Sequence, residues 1–140
     1  MKHFFLIMLG LTVGLFADFS RDNTSEIVTD NITKLQWQDN IISETMRWKN
    51  AIDYCETLIL SGKNDWRLPN FNELVSLVDD TKINPAIDTV FQNTANTHYW
   101  SSTTHPNYFS SAWSIWFGDG EQYGNSKRNF YHARCVRIGN

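Results

Sequence analysis

The chain has few of the residues that metal centres and disulfide-rich scaffolds require. Only two cysteines and four histidines occur among its 140 residues. A zinc site needs several Cys or His ligands at short spacing, and His98, His105 and His132 lack that spacing. Carboxylates that calcium could use lie in turn-rich segments, at Asp79, Asp80, Asp88 and Asp119. Such carboxylates are more commonly turn formers, so we expect neither a metal nor a cofactor.

Catalytic motifs are also missing. The sequence has no G-x-S-x-G turn of the kind that presents a nucleophilic serine. A serine, His132 and Asp119 supply the groups of a catalytic triad, but nothing in their positions along the chain predicts that they meet. The sequence therefore predicts a protein that is not an enzyme.

Long apolar runs are absent after the N-terminus. The run from Phe4 to Phe16 is apolar and follows the basic residue Lys2. Ala17 completes an acceptable signal-peptidase site before Asp18, so we expect residues 1–17 to be a cleaved signal peptide. An uncleaved anchor is the alternative, but about 20 apolar residues are needed to span a bilayer. We expect an exported protein, whether periplasmic, secreted or at the cell surface, with no transmembrane segment after cleavage.

The charge balance has no strong excess of either sign. Twelve basic and 15 acidic residues give a net charge of −3 at pH 7. A mildly acidic chain is not expected to bind nucleic acid. About 120 residues after the signal suffice for a single domain, which we place at residues 28–140. The polar residues 18–27 are predicted to form a loose N-terminal arm.

Aromatic residues are abundant, at 14% of the chain. Many lie among β-prone residues and turn formers, which predicts a small α+β domain with large rings in its core. Strands are predicted over five segments, at residues 26–29, 34–38, 99–102, 111–117 and 130–138. The first two form an opening hairpin, and the Gly118-Asp119-Gly120 turn ends the fourth.

Two helices are predicted between these strands. Apolar residues at helical spacing predict a first helix that follows a Thr45 N-cap and stops at Gly62. Pro69 forces a turn, after which Asn70 and Glu73 form an N-x-x-E pattern that caps the start of a second helix. This second helix is predicted to reach Val78.

The two cysteines are placed so that one bond would join the two ends of the fold. Cys55 lies on the apolar face of the first helix, and Cys135 lies in the last predicted strand. Export makes oxidation plausible, because disulfides persist outside the cytosol. Two separate buried thiols are the alternative.

Several motifs occur along the chain in the same order as in one known family: Trp37, Trp48-x-x-Ala51-Ile52-x-x-Cys55, Asp65-Trp66-Arg67-Leu68-Pro69-Asn70-x-x-Glu73-Leu74, Pro85-Ala86-Ile87-Asp88, Tyr99-Trp100-Ser101-Ser102 and Arg134-Cys135-Val136-Arg137. In these motifs the sequence resembles the Lcl C-terminal domain family. The resemblance implies a C-type-lectin-like fold, also similar to that of formylglycine-generating enzymes, in which two helices flank a twisted antiparallel sheet. It also implies a disulfide from the first helix to the last strand, and an exported bacterial protein, sometimes an adhesin.

The resemblance does not extend to the known chemistry of those folds. Lectins that bind sugar through calcium present Glu-Pro-Asn or Gln-Pro-Asp and Trp-Asn-Asp motifs, which this sequence lacks. The central motif is interpreted as structural, with Trp66 in the core and Arg67 in an ion pair or backbone clamp. The residues assigned this structural role are Asp65, Trp66, Arg67, Leu68, Pro69 and Trp100.

Two groups of residues are predicted to bind a ligand. The first is aromatic, in a segment rich in Ser, Thr and Asn, and comprises Tyr108, Trp113 and Trp116. The second is a basic C-terminal run without acids, represented by Lys127, Arg128 and His132 and continued by Arg134 and Arg137. Ion pairing with acids elsewhere is the alternative for this run.

Two functions follow from these residues. One is a non-catalytic, adhesion-like module that recognises a glycan, a polyanion or a surface protein. The other is a structural or assembly component of the bacterial envelope that binds a partner protein.

Overall fold

A computed structural model describes residues 17–139 of the protein, so nearly all of the predicted signal peptide lies outside the described residues. The elements in chain order are β1 (Phe19–Asp22), β2 (Ile27–Asp30), β3 (Leu35–Gln38), α1 (Trp48–Thr57), α2 (Phe71–Val75), β4 (His98–Thr104), β5 (Ser111–Trp116), β6 (Glu121–Ser126) and β7 (Val136–Ile138). The α+β class is confirmed. The strands form two antiparallel sheets, in the orders β1-β2-β3-β7 and β4-β5-β6, rather than the one sheet expected.

The predicted loose arm is wrong, because residues 19–22 form an edge strand of the first sheet. β1 pairs antiparallel with β2, with Phe19 opposite Asp30 and Asp22 opposite Ile27. The Phe19 ring packs edge-on against Phe91, at 5.3 Å between centroids. Arg21, on the same side of the strand, reaches the buried carboxylate of Asp39. These inward contacts order the segment despite its polar composition.

The first helix is shorter at both ends than the sequence predicts. Arg47, not Thr45, is the N-cap, and Leu58, not Gly62, is the C-cap. Extended backbone persists up to Arg47 because Met46 pairs with Tyr131 through hydrogen bonds in both directions. Gly62 instead has a positive φ of 73° in a short turn after the helix.

The second helix starts where the sequence predicts. The Asn70 side chain accepts a hydrogen bond from the Glu73 amide at 2.8 Å, and the Glu73 carboxylate accepts one from the Asn70 amide at 2.9 Å. This reciprocal capping box satisfies two amides that a helix start would otherwise leave free. The helix ends at Val75, shorter than the predicted end at Val78.

The C-terminal third also differs from expectation. β6 pairs with β5 along its whole length, although no strand is predicted there. Of the predicted strand over residues 130–138, only Val136–Ile138 is a regular strand. Tyr131 and His132 make isolated bridges to Met46 and Tyr99 instead.

The Cys55–Cys135 disulfide is confirmed. The Cα atoms lie 5.4 Å apart, and both residues are fully buried. The bond ties α1 to the segment just before β7, across 80 residues of chain. Within residues 17–139 no helix combines the length and the apolar content that a bilayer crossing needs.

Candidate functional site

The six predicted ligand-binding residues do not form one site. Trp113 and Trp116 lie three positions apart on β5, so their side chains leave opposite faces of the sheet. Tyr108 lies in the loop between β4 and β5, and it is 66% exposed. Lys127 and Arg128 follow β6, and His132 is buried at 8% exposure.

Trp116 lies in a group of rings on one face of the second sheet. His98 of β4 is its direct cross-strand partner, and the two ring centroids are 4.9 Å apart. The His98 ring also meets Tyr123 of β6 edge-on at 5.2 Å and stacks on Tyr131 at 4.3 Å. We call these four residues the Trp116 face. Trp116 is 37% exposed and Tyr123 is 42% exposed, so the group presents aromatic surface to solvent.

Polar contacts hold two rings of the Trp116 face, those of His98 and Tyr131, in place. Ser114, between the rings on β5, lies 3.2 Å from His98 Nδ1 through its Oγ. The same Oγ accepts a hydrogen bond from Asn125 Nδ2 at 3.2 Å. Asn129 Nδ2 donates to Tyr131 Oη at 2.9 Å. A ligand would therefore meet an ordered surface and would not need to order these side chains itself.

Gly118 lies beneath the indole of Trp116. A Cβ atom at this position would be 2.1 Å from Trp116 Nε1, far closer than two heavy atoms can approach. Any larger residue would displace the indole, so this glycine sets the position of the exposed ring.

Trp113, on the opposite face of β5, packs against neighbouring rings instead. It contacts Phe71 of α2 at 5.3 Å and His105 at 4.7 Å between centroids. His105 in turn lies over Gly124 of β6, where a Cβ would be 2.8 Å from its Cδ2. Trp113 thus packs between the second sheet and α2, and it is a poor ligand-binding candidate.

The basic C-terminal run is not one charged surface, which corrects the prediction made from sequence. Arg134 pairs with Asp39 at 3.0 Å, and Arg137 pairs with Asp65 at 2.6 Å. The side chains of both arginines are at most 5% exposed. His132 is buried against Tyr99, with 5.2 Å between ring centroids. The alternative of ion pairing with distant acids therefore holds for the two arginines.

A model of the Lcl C-terminal domain matches residues 26–137, well over half of the chain. The chain belongs to the Lcl C-terminal domain family. The comparison with curated proteins found no match.

In this Lcl C-terminal domain the residues of the central motif contact the core and α2. Trp66, Leu68, Pro69 and Trp100 are buried. Arg67 makes a two-pronged ion pair with Glu73, at 2.6 and 2.7 Å, and its backbone pairs with Val136. The Arg67 guanidinium holds the pKa of the Glu73 carboxyl below its usual value. These contacts are those of a structural motif.

Three of the four carboxylates considered for calcium accept hydrogen bonds within turns instead. Lys82 and Thr81 donate to the Asp79 carboxylate and lower its pKa to about 2. Asp88 accepts from the Val90 amide, and Asp119 from the Glu121 amide. Among residues 17–139 no group of three or more His, Cys, Asp or Glu side chains is placed to hold a metal ion.

The enclosed cavity beside His132 and Arg134 is too small for a ligand. Its volume is about 10 Å³, room for a single water molecule. Three further hollows along residues 17–139, of about 340 to 450 Å³, are more open to solvent.

Buried histidines make the stability of the domain depend on pH. Burial lowers the pKa of the His132 imidazole below 6.5, and the nearby Arg134 guanidinium lowers it further. The unfolded chain therefore binds this proton more readily than the folded protein. The stability that the neutral His132 contributes is fully present above about pH 6.5, and it is lost as the pH falls toward the folded pKa. Burial lowers the pKa of His98 in the same direction, against an opposing effect of Asp119.

We expect His132→Phe to reduce this pH dependence. Phenylalanine retains the ring that stacks on Tyr99 but cannot bind a proton. Denaturant melts at about pH 7.5 and about pH 5 should show a smaller loss of unfolding free energy for the variant than for the wild type. Carboxylates such as Glu73, whose pKa is lowered, begin to lose their contribution near pH 5, but they do so equally in both proteins. An equal loss in both proteins would contradict the assignment.

Proposed function

We propose that this Lcl C-terminal domain is an exported, non-catalytic binding module of C-type-lectin-like fold, and that it recognises a neutral saccharide on the Trp116 face. The observation that supports this most is the group of three rings packed around His98, two of them more than one third exposed. Exposed aromatic rings flanked by polar groups are suited to the apolar C–H face of a sugar ring.

The polar groups around the rings fit sugar hydroxyls. Glu121 stands directly across from Trp116 in the β5–β6 pair, and it is exposed. Its carboxylate is free of salt bridges among the described residues and can accept hydrogen bonds from hydroxyls. A sugar stacked on Trp116 would therefore find an acceptor at the edge of the same surface.

The charges near this face favour a neutral sugar over a polyanion. Asp119 and Glu121 border Trp116 in the chain and across the strand pair. The buried arginines of the C-terminal run are already paired with acids. A sulfated or phosphorylated polymer would meet like charge at the Trp116 face, which disfavours its binding there.

We expect Trp116→Ala and Tyr123→Ala each to weaken saccharide binding by about 30-fold, because truncating an aromatic anchor typically costs about 2 kcal/mol. A glycan array first identifies the sugar, and titration calorimetry then measures its affinity for each variant. Trp116→Phe should retain part of the affinity, since it keeps a stacking ring.

Phe109→Ser is the matched control. Phe109 is an exposed ring at the opposite end of β5, and its loss should leave saccharide binding unchanged. If no sugar on the array binds, or if Trp116→Ala binds as well as the wild type, the proposal is wrong. The assembly role, with a protein partner, would then be the function to test.

A further inference from the structure

A second exposed aromatic surface lies at the other end of β5, where the chain connects it to β4. Tyr108 and Phe109 occupy the apex of this connection and are 66% and 79% exposed. The loop is held by its own backbone, because the His105 amide donates to Ser111 O at 2.9 Å and the Ser111 amide donates to Tyr108 O at 2.8 Å. The two rings are thus presented on an ordered loop.

Neighbouring segments extend this surface. The Lys127 amide donates to Ser110 O at 2.9 Å, so the turn after β6 lies beside the loop. The Trp48 amide donates to Lys127 O at 3.2 Å, which brings the start of α1 to the same place. The Arg47 guanidinium lies 5.3 Å from the centroid of the Phe130 ring, and this ring is 57% exposed.

The surface so assembled is basic. Arg47, Lys127 and Arg128 contribute three positive charges, and residues 46–48, 104–111 and 127–131 contain no Asp or Glu. The whole chain has a net charge of −3, so this local excess opposes the sign of the protein. We call the set Arg47, Tyr108, Phe109, Lys127, Arg128 and Phe130 the basic aromatic rim.

We propose that the basic aromatic rim docks the domain on an anionic lipid surface. Tyr and Phe rings enter the boundary between headgroups and acyl chains, and basic side chains beside them attract anionic headgroups. Tyr108, Phe109 and Phe130 supply the first kind of contact, and Arg47 and Arg128 supply the second. The Lys127 ammonium adds positive charge nearby, held 4.0 Å from the centroid of the Trp48 ring and donating to Thr104 Oγ1. Because the loop is ordered, docking costs little conformational entropy.

A lipid surface fits the rim better than a soluble polyanion. A polyanion would pair with Arg47, Lys127 and Arg128 but would leave Phe109 and Phe130 in water. A bilayer uses both the charges and the exposed rings. Phe130 of the rim adjoins Tyr131 of the Trp116 face in the chain. Tyr108 and Phe109, however, precede the start of β5 and Trp116 lies at its end, roughly 17 Å away at a rise of about 3.3 Å per residue, so variants at Phe109 and at Trp116 test the two proposals separately.

Co-sedimentation with vesicles tests the rim. The wild-type chain should bind phosphatidylglycerol vesicles more tightly than phosphatidylcholine vesicles, and salt should weaken the binding. The double variant Arg47→Glu/Arg128→Glu should bind phosphatidylglycerol at least about tenfold more weakly, since each basic residue near an anionic surface contributes about a fivefold gain in affinity. Phe109→Ser should also weaken binding, by several-fold, because it removes an inserted ring.

Two controls separate the rim from other sources of lipid binding. All variants share the same N-terminus, so differences among them report the rim and not the N-terminal residues. Ile83→Ser removes a side chain that is 72% exposed near Gly118, at the far end of β5, and should bind like the wild type. Trp116→Ala should also bind vesicles like the wild type. Equal vesicle binding by the wild type, Phe109→Ser and the charge-reversed variant would overturn the proposal. If the Arg47→Glu/Arg128→Glu variant lost heparin binding but kept vesicle binding, the result would overturn the proposal in favour of a polyanion.

Discussion

Replacement of Asp39 by asparagine is expected to lower the free energy of unfolding by about 3–5 kcal/mol, the usual cost of removing one partner of a buried ion pair. The Asp39 side chain is fully buried, and its partners Arg21 and Arg134 are 6% and 3% exposed. Asparagine has the same shape, so the loss would not come from a cavity. Its NH₂ group would face hydrogen-bond donors. Arg134 would lose its counter-charge, and Arg21 would keep only the longer pair with the part-exposed Glu26, at 3.8 Å.

The cost is large because Asp39 joins four segments of the chain. Oδ2 accepts from Arg21 Nε at 2.7 Å and from the Gln92 amide at 2.9 Å. Oδ1 accepts from Arg134 Nη1 at 3.0 Å and from the Asn93 amide at 3.2 Å. One carboxylate thus holds β1, the end of β3, the loop before β4 and the segment before β7.

Asp53→Asn is the matched control for this prediction. Asp53 also pairs with a basic residue, Lys49, at 2.7 Å, but both side chains are more than half exposed. Such surface pairs contribute about 0–1 kcal/mol. Denaturant melts of both variants at neutral pH measure the difference. A loss below about 1 kcal/mol for Asp39→Asn would mean that water or rearrangement replaces the lost contacts.

Features whose causes are local in sequence were predictable. The Asn70 and Glu73 capping box needs only residues three positions apart, and it forms as the pattern predicts. The β2–β3 hairpin and the turn after β5 follow from short-range turn chemistry in the same way. The disulfide was predictable because the chain has only two cysteines, one on an apolar helix face and one near the end of the fold.

Features set by distant contacts were not predictable. The start of α1 depends on the pairing of Met46 with Tyr131, 85 positions away in the chain. β1 forms an ordered strand because Arg21 pairs with Asp39, which lies 18 positions away in the chain. Neither partner can be identified from local propensity, because tertiary contacts override it.

The candidate site illustrates the same division. The sequence indicates that the segment around β5 is aromatic, but it does not show that Trp113 faces α2 and Trp116 faces solvent. Tyr123 was missed because β6 lacks the apolar alternation of a strand; all but one of its residues are exposed. The signal that was present is the Gly118-Asp119-Gly120 turn, which returns the chain along β5 and places Tyr123 beside Ser114.

The Cys55–Cys135 bond joins two segments that are 80 positions apart in the chain. Its removal is expected to be the second large loss of stability. The double variant Cys55→Ala/Cys135→Ala should lose about 4–5 kcal/mol of unfolding free energy, because the bond closes a loop of 80 residues in the unfolded chain. Glu56→Ala, an exposed neighbour on α1, should change stability little.

The origin of that loss can be tested with the wild-type sequence alone. Unfolded, non-reduced protein should show no free thiol on titration, whereas free thiols would contradict the bond. Wild-type protein unfolded in the presence of a reductant should be destabilised nearly as much as the double alanine variant. If the cross-link acts on the unfolded state, both should also show a steeper dependence of unfolding free energy on denaturant, because a chain without the bond exposes more surface. An unchanged slope in both would locate the loss in the native packing around the two sulfur atoms instead.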